Sequence, residues 1–316
     1  MLDTDLERLM AKVADLGRVS EAEARQIVNE VYDDGVVSRA EADALFDLND
    51  KLSGADPLWD DRFCEAIKDF LLTVEAPVGW VTEEESQWLI ERINRDGRIA
   101  HATELDLLLD VLRYAEGAPR ELGLFTLKAI CEHAKKETLV DSVTVERLRR
   151  ALYAPNGDGA TWVTRTEAAY LFDLSDAVGR SKNDTSWNDL FARAIGNHLM
   201  AAAHPSPQTE QDALSREKWL QARSDGVAGL FAKAAKSLSD GTWFEKVAYS
   251  EKKAESARMA ARDAANRAAA QVDTEEEDWL VNRLGWDKDV NPAERALIDF
   301  LKKEAPGFTV GIVEAA

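Results

Sequence analysis

Residues 36–50 read VVSRAEADALFDLND, and residues 162–176 read WVTRTEAAYLFDLSD. Each stretch places a β-branched residue (Val37, Val163) before a hydroxyl residue (Ser38, Thr164), with a Glu three positions later (Glu41, Glu167). That order is a capping box. The hydroxyl accepts a bond from a backbone N–H that the first helical turn leaves without a partner, and the Glu reaches back to the cap's own N–H. Apolar residues follow at helical spacing, as in Ala168, Leu171 and Phe172, so each stretch is expected to start an amphipathic helix.

The unit recurs as VSEAE at 19, VSRAE at 37, VTEEE at 81, VTRTE at 163, VDTEE at 272 and VNPAE at 290, with imperfect copies IAHAT at 99 and VTVER at 143. The units fall in pairs, 18 residues apart at 19/37, 81/99 and 272/290 and 20 apart at 143/163. Pairs begin at 19, 81 and 143, a step of 62, and the fourth is delayed to 272. A fixed period of that size marks a repeated supersecondary unit. After the second unit of each of the first three pairs comes a further helical segment, LWDDRFCEAIKDFLL, ELGLFTLKAICEHAK or SWNDLFARAIGNHLM, each with Phe followed by Ala-Ile. No run alternates as a strand would. The expected architecture is all-α: four tandem modules of about 62 residues in two lobes, 1–140 and 141–316, the second carrying a helical insertion at about 206–271.

The chain of 316 residues carries 39 Lys+Arg against 59 Asp+Glu, a net charge of −20. Such a surface repels phosphate backbones and anionic lipid, so nucleic acid is not an expected partner, and cations or basic proteins are. The same charge also serves solubility. The two cysteines, Cys64 and Cys131, have no CxxC or Cys/His spacing and fit a reducing compartment. The acidic, amphipathic start is unlike a secretory leader, and no run is long and apolar enough to span a membrane. A cytoplasmic location with no membrane insertion is expected. The insertion differs from the rest, with 11 Lys+Arg and 9 Asp+Glu, leaving the body at −22. It reads either as an arm docked on the acidic body or as a partner-binding helical hairpin.

Asp-Gly or a close equivalent precedes several units, in YDDGVVSRAE, NRDGRIAHAT and NGDGATWVTRTE. The pattern resembles the second half of an EF-hand loop, with Gly at position 6, an apolar residue at 8 and a bidentate Glu at 12. In that register Asp34, Gly35 and Glu41 fit, whereas Glu30 and Tyr32 occupy the first and third positions. Asn156, Asp158 and Glu167 fall at positions 1, 3 and 12 of a second loop, and Asp287, Asp289 and Glu294 at 5, 7 and 12 of a third. No loop offers the full set of six to eight oxygens that calcium takes. The turns are therefore either metal-free helix starts or weak sites for Ca2+ or another divalent cation. DLGRVSEAE, DDGVVSRAE and DGRIAHATE also resemble the TerB-like tellurite-resistance family, helical domains with a DGxVsxxE pattern at a helix start. That resemblance implies a cytoplasmic stress-response protein that binds metal through acidic side chains and acts through partners.

Enzyme signatures are missing from the sequence: HExxH, GxSxG, a P-loop and GxGxxG do not occur. Cys131, Glu132 and His133 are adjacent on a predicted helix and diverge by about 100° per residue, so they cannot converge on one ion. Trp59, Trp88, Trp187 and Trp279 recur in register and are expected in the core. Trp80 and Trp162 stand directly before a capping unit, where an indole either seals two loops or stays exposed for a partner. The function expected from these features is a non-enzymatic acidic scaffold or regulator binding protein partners, modulated by a divalent cation. A TerB-like metal-binding stress protein is the alternative.

Overall fold

A computed structural model describes residues 4–55, 57–95, 102–153, 162–200, 274–284 and 290–304. The protein is helical. Its α-helices among the described residues are α1 (Thr4–Leu16), α2 (Glu21–Val31), α3 (Arg39–Asn49), α4 (Pro57–Asp69), α5 (Glu83–Ile93), α6 (Ala102–Tyr114), α7 (Arg120–Glu137), α8 (Ser142–Leu152), α9 (Arg165–Val178), α10 (Thr185–Met200), α11 (Thr274–Leu284) and α12 (Pro292–Glu304). α4 runs on into a π-helical turn at Phe70–Val74.

The repeated unit starts helices by the expected mechanism. Ser20, Ser38, Thr82 and Thr164 form complete capping boxes with Glu23, Glu41, Glu85 and Glu167. At α12 an Asn stands in for the hydroxyl: Asn291 Oδ1 accepts the Glu294 N–H at 3.0 Å, while the Glu294 carboxylate accepts the Asn291 N–H at 2.8 Å. The residue before each cap is buried (Val19, Val37, Val81, Val163), as is the fourth helical residue (Ala24, Ala42, Ser86, Ala168). That is the burial pattern of a hydrophobic staple, which fixes the angle at which the chain enters the helix.

One unit is displaced from the sequence reading. VTVER at 143 lies inside α8, which is capped by Asp141, whose carboxylate accepts the Thr144 N–H at 2.8 Å. The buried residue before this cap is Val140. Asp caps a helix as well as Ser does, so the true start sits three residues earlier in the chain than the pattern match. A second departure is a two-residue parallel pairing, β1 (Arg18–Val19) with β2 (Gly54–Ala55), in the register Arg18↔Gly54 and Val19↔Ala55. It is too short to leave an alternating pattern in the sequence.

Two compact units divide the chain, one of residues 1–195 with 287–300 and one of 196–286 with 301–316. Within the first, α4 packs on α2 and α6, and α7 packs on α5, α6, α8 and α9. Trp59 and Trp187 are fully buried, and Trp88 nearly so. Trp59 donates its indole N–H to Asn49 Oδ1 at 3.0 Å and Trp88 to Asp43 Oδ1 at 3.0 Å, which satisfies each ring's polar edge where the ring is buried. Phe172 meets Phe191 edge-on with centroids 5.0 Å apart. Phe63 with Ala66–Ile67 and Phe191 with Ala194–Ile195 are all buried. In the second unit the buried His198 lies edge-on to Trp279, with centroids 5.1 Å apart.

Two helix joints are closed by Asp–Arg pairs. Arg92 on α5 lies 2.9 Å from Asp43 and 3.2 Å from Asp47 on α3, and Arg95 lies 2.8 Å from Asp47 and 3.1 Å from Asp50. Arg147 on α8 donates two bonds to Asp106 on α6, at 2.8 and 2.6 Å, and Arg150 donates to Asp110 at 2.8 Å. In both joints the later helix brings the arginines and the earlier one the carboxylates.

Candidate functional site

Four of the eight residues expected to hold an ion fall in described segments. Glu41 accepts both the backbone N–H and the hydroxyl of Ser38 on one carboxylate oxygen, each at 2.7 Å. Glu167 does the same with Thr164, at 2.7 and 2.9 Å. Glu294 accepts the Asn291 N–H, so all three serve the first turn of their own helix. Asp34 is exposed and accepts the Val36 N–H at 3.1 Å, shaping the turn that Gly35 makes possible with φ 86°. Asn156, Asp158, Asp287 and Asp289 lie outside the described residues. Among the described residues, no group of three or more His, Cys, Asp or Glu side chains is placed to hold a metal ion.

The thiols are structural in their surroundings. Cys131 is buried and its thiol is pushed up to about 12 by desolvation. Cys64 is raised further, by burial first and then by the nearby charges of Asp110, Asp106, Asp60 and Asp61. It donates toward the Thr103 carbonyl at 3.6 Å. A thiol raised in this way is almost entirely protonated at neutral pH and is a poor nucleophile. Cys64 borders an open cavity of about 340 Å³ between α4 and α6, lined also by Asp60, Asp61, Glu65, Lys68, Asp106 and Asp110. Most of those acids already have partners: Asp60 accepts the Thr103 hydroxyl, Glu65 pairs with Arg62, and Asp106 and Asp110 hold Arg147 and Arg150. His133 is half-buried beside the buried Cys131, in line with the divergent directions expected on a helix.

Trp80 answers both readings of its turn at once. Its indole packs closely on Gly117, where an added Cβ would stand 2.3 Å from Cζ3 of the ring. Around that contact the Val81 N–H donates to the Gly117 carbonyl at 2.9 Å and the Glu116 N–H to the Gly79 carbonyl at 2.7 Å. The indole therefore seals two loops, 75–82 and 115–119. Its other side is open, with Trp80 48% exposed and neighbouring Val78 64% exposed. Val36 and Leu139, each also one residue before a buried pre-cap valine, are exposed as well.

Apart from the buried cap residue Glu85, five carboxylates lie within five residues of Trp80 or Gly117 along the chain: Glu75, Glu83, Glu84, Glu116 and Glu121. All are exposed except Glu75, which is half-buried, and none forms an ion pair with a described residue. Arg113 and Arg120 are the cations within the same range. The sequence pattern could have found this site, since Trp80 precedes the run VTEEE, but the opposing Gly117 loop is brought in by tertiary folding.

No family model matches the chain, and no solved structure matches it. A probable lysophospholipase 3 of Schizosaccharomyces pombe is 27% identical over 129 residues, 40% of this chain. The chain spans 19% of that relative's length.

Proposed function

We propose that this protein is a non-enzymatic acidic helical scaffold or regulator whose ligand is another protein. The observation that carries the reading is the division of its acidic groups. The repeated glutamates serve as helix caps, and the Asp–Arg joints serve packing, while a separate set flanking Trp80 in the chain is mostly exposed and forms no ion pair with a described residue. Exposed carboxylates beside an exposed aromatic ring suit recognition of a basic protein surface. Raised thiols and the absence of a GxSxG nucleophile motif give no support to extending the hydrolase name of the partial relative to this chain.

A test is affinity isolation of the full chain, tagged, in the presence of EDTA. A stoichiometric polypeptide that survives the chelator and is lost on deleting residues 206–271 or on raising salt supports the scaffold reading. Loss of every polypeptide in EDTA, with stoichiometric metal on the untreated protein, would replace it with the alternative, a TerB-like metal-binding stress-response protein. That alternative draws on the three DGxVsxxE-like copies, and its ion would lie at Asn156 and Asp158 or at Asp287 and Asp289. Hydrolysis of lysophosphatidylcholine by the purified chain would contradict the non-enzymatic part directly.

A further inference from the structure

We infer that the outward face of Trp80, with Val78, is the anchor of a docking surface for a basic, amphipathic segment of a partner protein. The inference rests on the scaffold reading above and assigns it a place and a chemistry. Three features of the surface converge on one occupant.

The ring is held ready before any partner arrives. Gly117 leaves room for the indole to lie on the backbone, and the paired loops fix its orientation, so little freedom is lost when its open face is covered. Trp is also the residue type most often found to dominate an interface when it sits centrally and becomes desolvated. Val78 extends the apolar area beside it. The π-helical turn at Phe70–Val74 leads directly into this loop, with the Gly79 N–H tied back to the Leu72 carbonyl at 2.8 Å. Such turns recur at functional sites because they re-aim the chain.

Charge then selects the partner. Glu75, Glu83, Glu84, Glu116 and Glu121 against Arg113 and Arg120 leave −3 by count in the chain flanking the apolar centre. The acids of the α3–α5 and α6–α8 joints pair with arginines within the fold, whereas these form no ion pair with a described residue. An acidic apolar segment would approach against uncompensated like charge, and a neutral one would leave the carboxylates without a counter-charge. A segment with one large apolar side chain for the indole and lysines or arginines for the rim satisfies both parts.

The test uses the full chain and a synthetic leucine–lysine amphipathic peptide, with binding measured by calorimetry. Two control peptides replace every lysine by glutamate or every leucine by serine. Trp80→Ser is expected to weaken binding by about tenfold or more, as for a central aromatic anchor. Glu83→Gln/Glu84→Gln is expected to weaken it severalfold, and Glu7→Gln/Asp15→Asn, which removes equal charge from α1, to leave it unchanged. Because Trp80→Ser also removes a loop contact, Gly117→Ala provides a second probe. It keeps the indole but pushes it off its seat, and weaker binding with an unchanged far-UV spectrum is expected.

Equal binding by wild type and Trp80→Ser would overturn the inference. So would equal losses in the α1 and rim variants, or undiminished binding of the serine-substituted peptide, since either would mean diffuse attraction to an acidic protein. Absence of any binding by the leucine–lysine peptide would overturn it too. None of these results touches the scaffold reading, which stands or falls on the EDTA-resistant polypeptide.

Discussion

Asp47 on α3 and Glu83 at the start of α5 have opposite surroundings. Asp47 meets both Arg92 and Arg95 across the α3–α5 joint, and Arg92 is largely buried there, with its guanidinium 5.8 Å from the Phe46 ring centre. Glu83, at the start of α5, is exposed three residues after Trp80 and forms no ion pair with a described residue. Total charge hides this difference. An acidic composition of −20 is the sum of carboxylates that close the fold and carboxylates that remain available to other molecules.

The two groups should respond differently to substitution. Arg92→Ala leaves Asp43 and Asp47 facing each other without their shared cation and removes packing from Phe46. Since both acids remain half in water, we expect a loss of about 2 kcal/mol, less than for a fully buried pair, measured by urea unfolding. An unchanged midpoint would place the arginine with ordinary surface pairs. Thr82→Ala removes the hydroxyl of the α5 capping box and is expected to cost about 1 kcal/mol, read from the same unfolding curves.

A smaller effect is expected from Asp141→Asn, because Asn caps a helix as well as Asp. The backbone N–H of Thr144, followed by its hydroxyl, holds the Asp141 carboxyl below its usual range. Its contribution is therefore present above the ordinary carboxylate range and is lost as pH falls through the depressed folded value, where the unfolded chain binds more protons. Asp141→Asn should leave stability near neutral pH almost unchanged and flatten the acid limb of a pH–stability profile. Glu23, lowered by the Ser20 hydroxyl and backbone N–H of its capping box, adds to the same limb. Smallest of all, Glu83→Gln/Glu84→Gln is expected to change stability by less than about 0.5 kcal/mol, as for surface positions without a partner. A large loss would mean that the rim belongs to the fold and would break the contrast.

Helix starts were legible in the sequence because a capping box is local: Ser38 and Glu41 are three residues apart and need nothing else to find each other. The buried Trp59 and Trp187 were legible for a similar reason, since helical periodicity places them on an apolar face. Asp141 was missed because a pattern built on β-branched, hydroxyl and Glu does not describe an Asp cap ending on Thr144. The joints were not legible either. Arg92 is 45 to 49 residues from the carboxylates it meets, a pairing that only the packing of α3 on α5 selects. Trp80 was visible as unusual, but its seat on Gly117 comes from a loop more than thirty residues away.

The central claim is that the recurring glutamates cap helices and that the protein's ligand is another protein, and an ion titration tests it most directly. Calcium, then magnesium, zinc and manganese, would be added to chelator-stripped full chain while Trp fluorescence and Tm are followed. The account predicts no saturable change for any ion. A saturable shift with a micromolar midpoint, abolished by Asp158→Ala or by Glu167→Gln, would contradict it and make the turns before these helices functional ion sites.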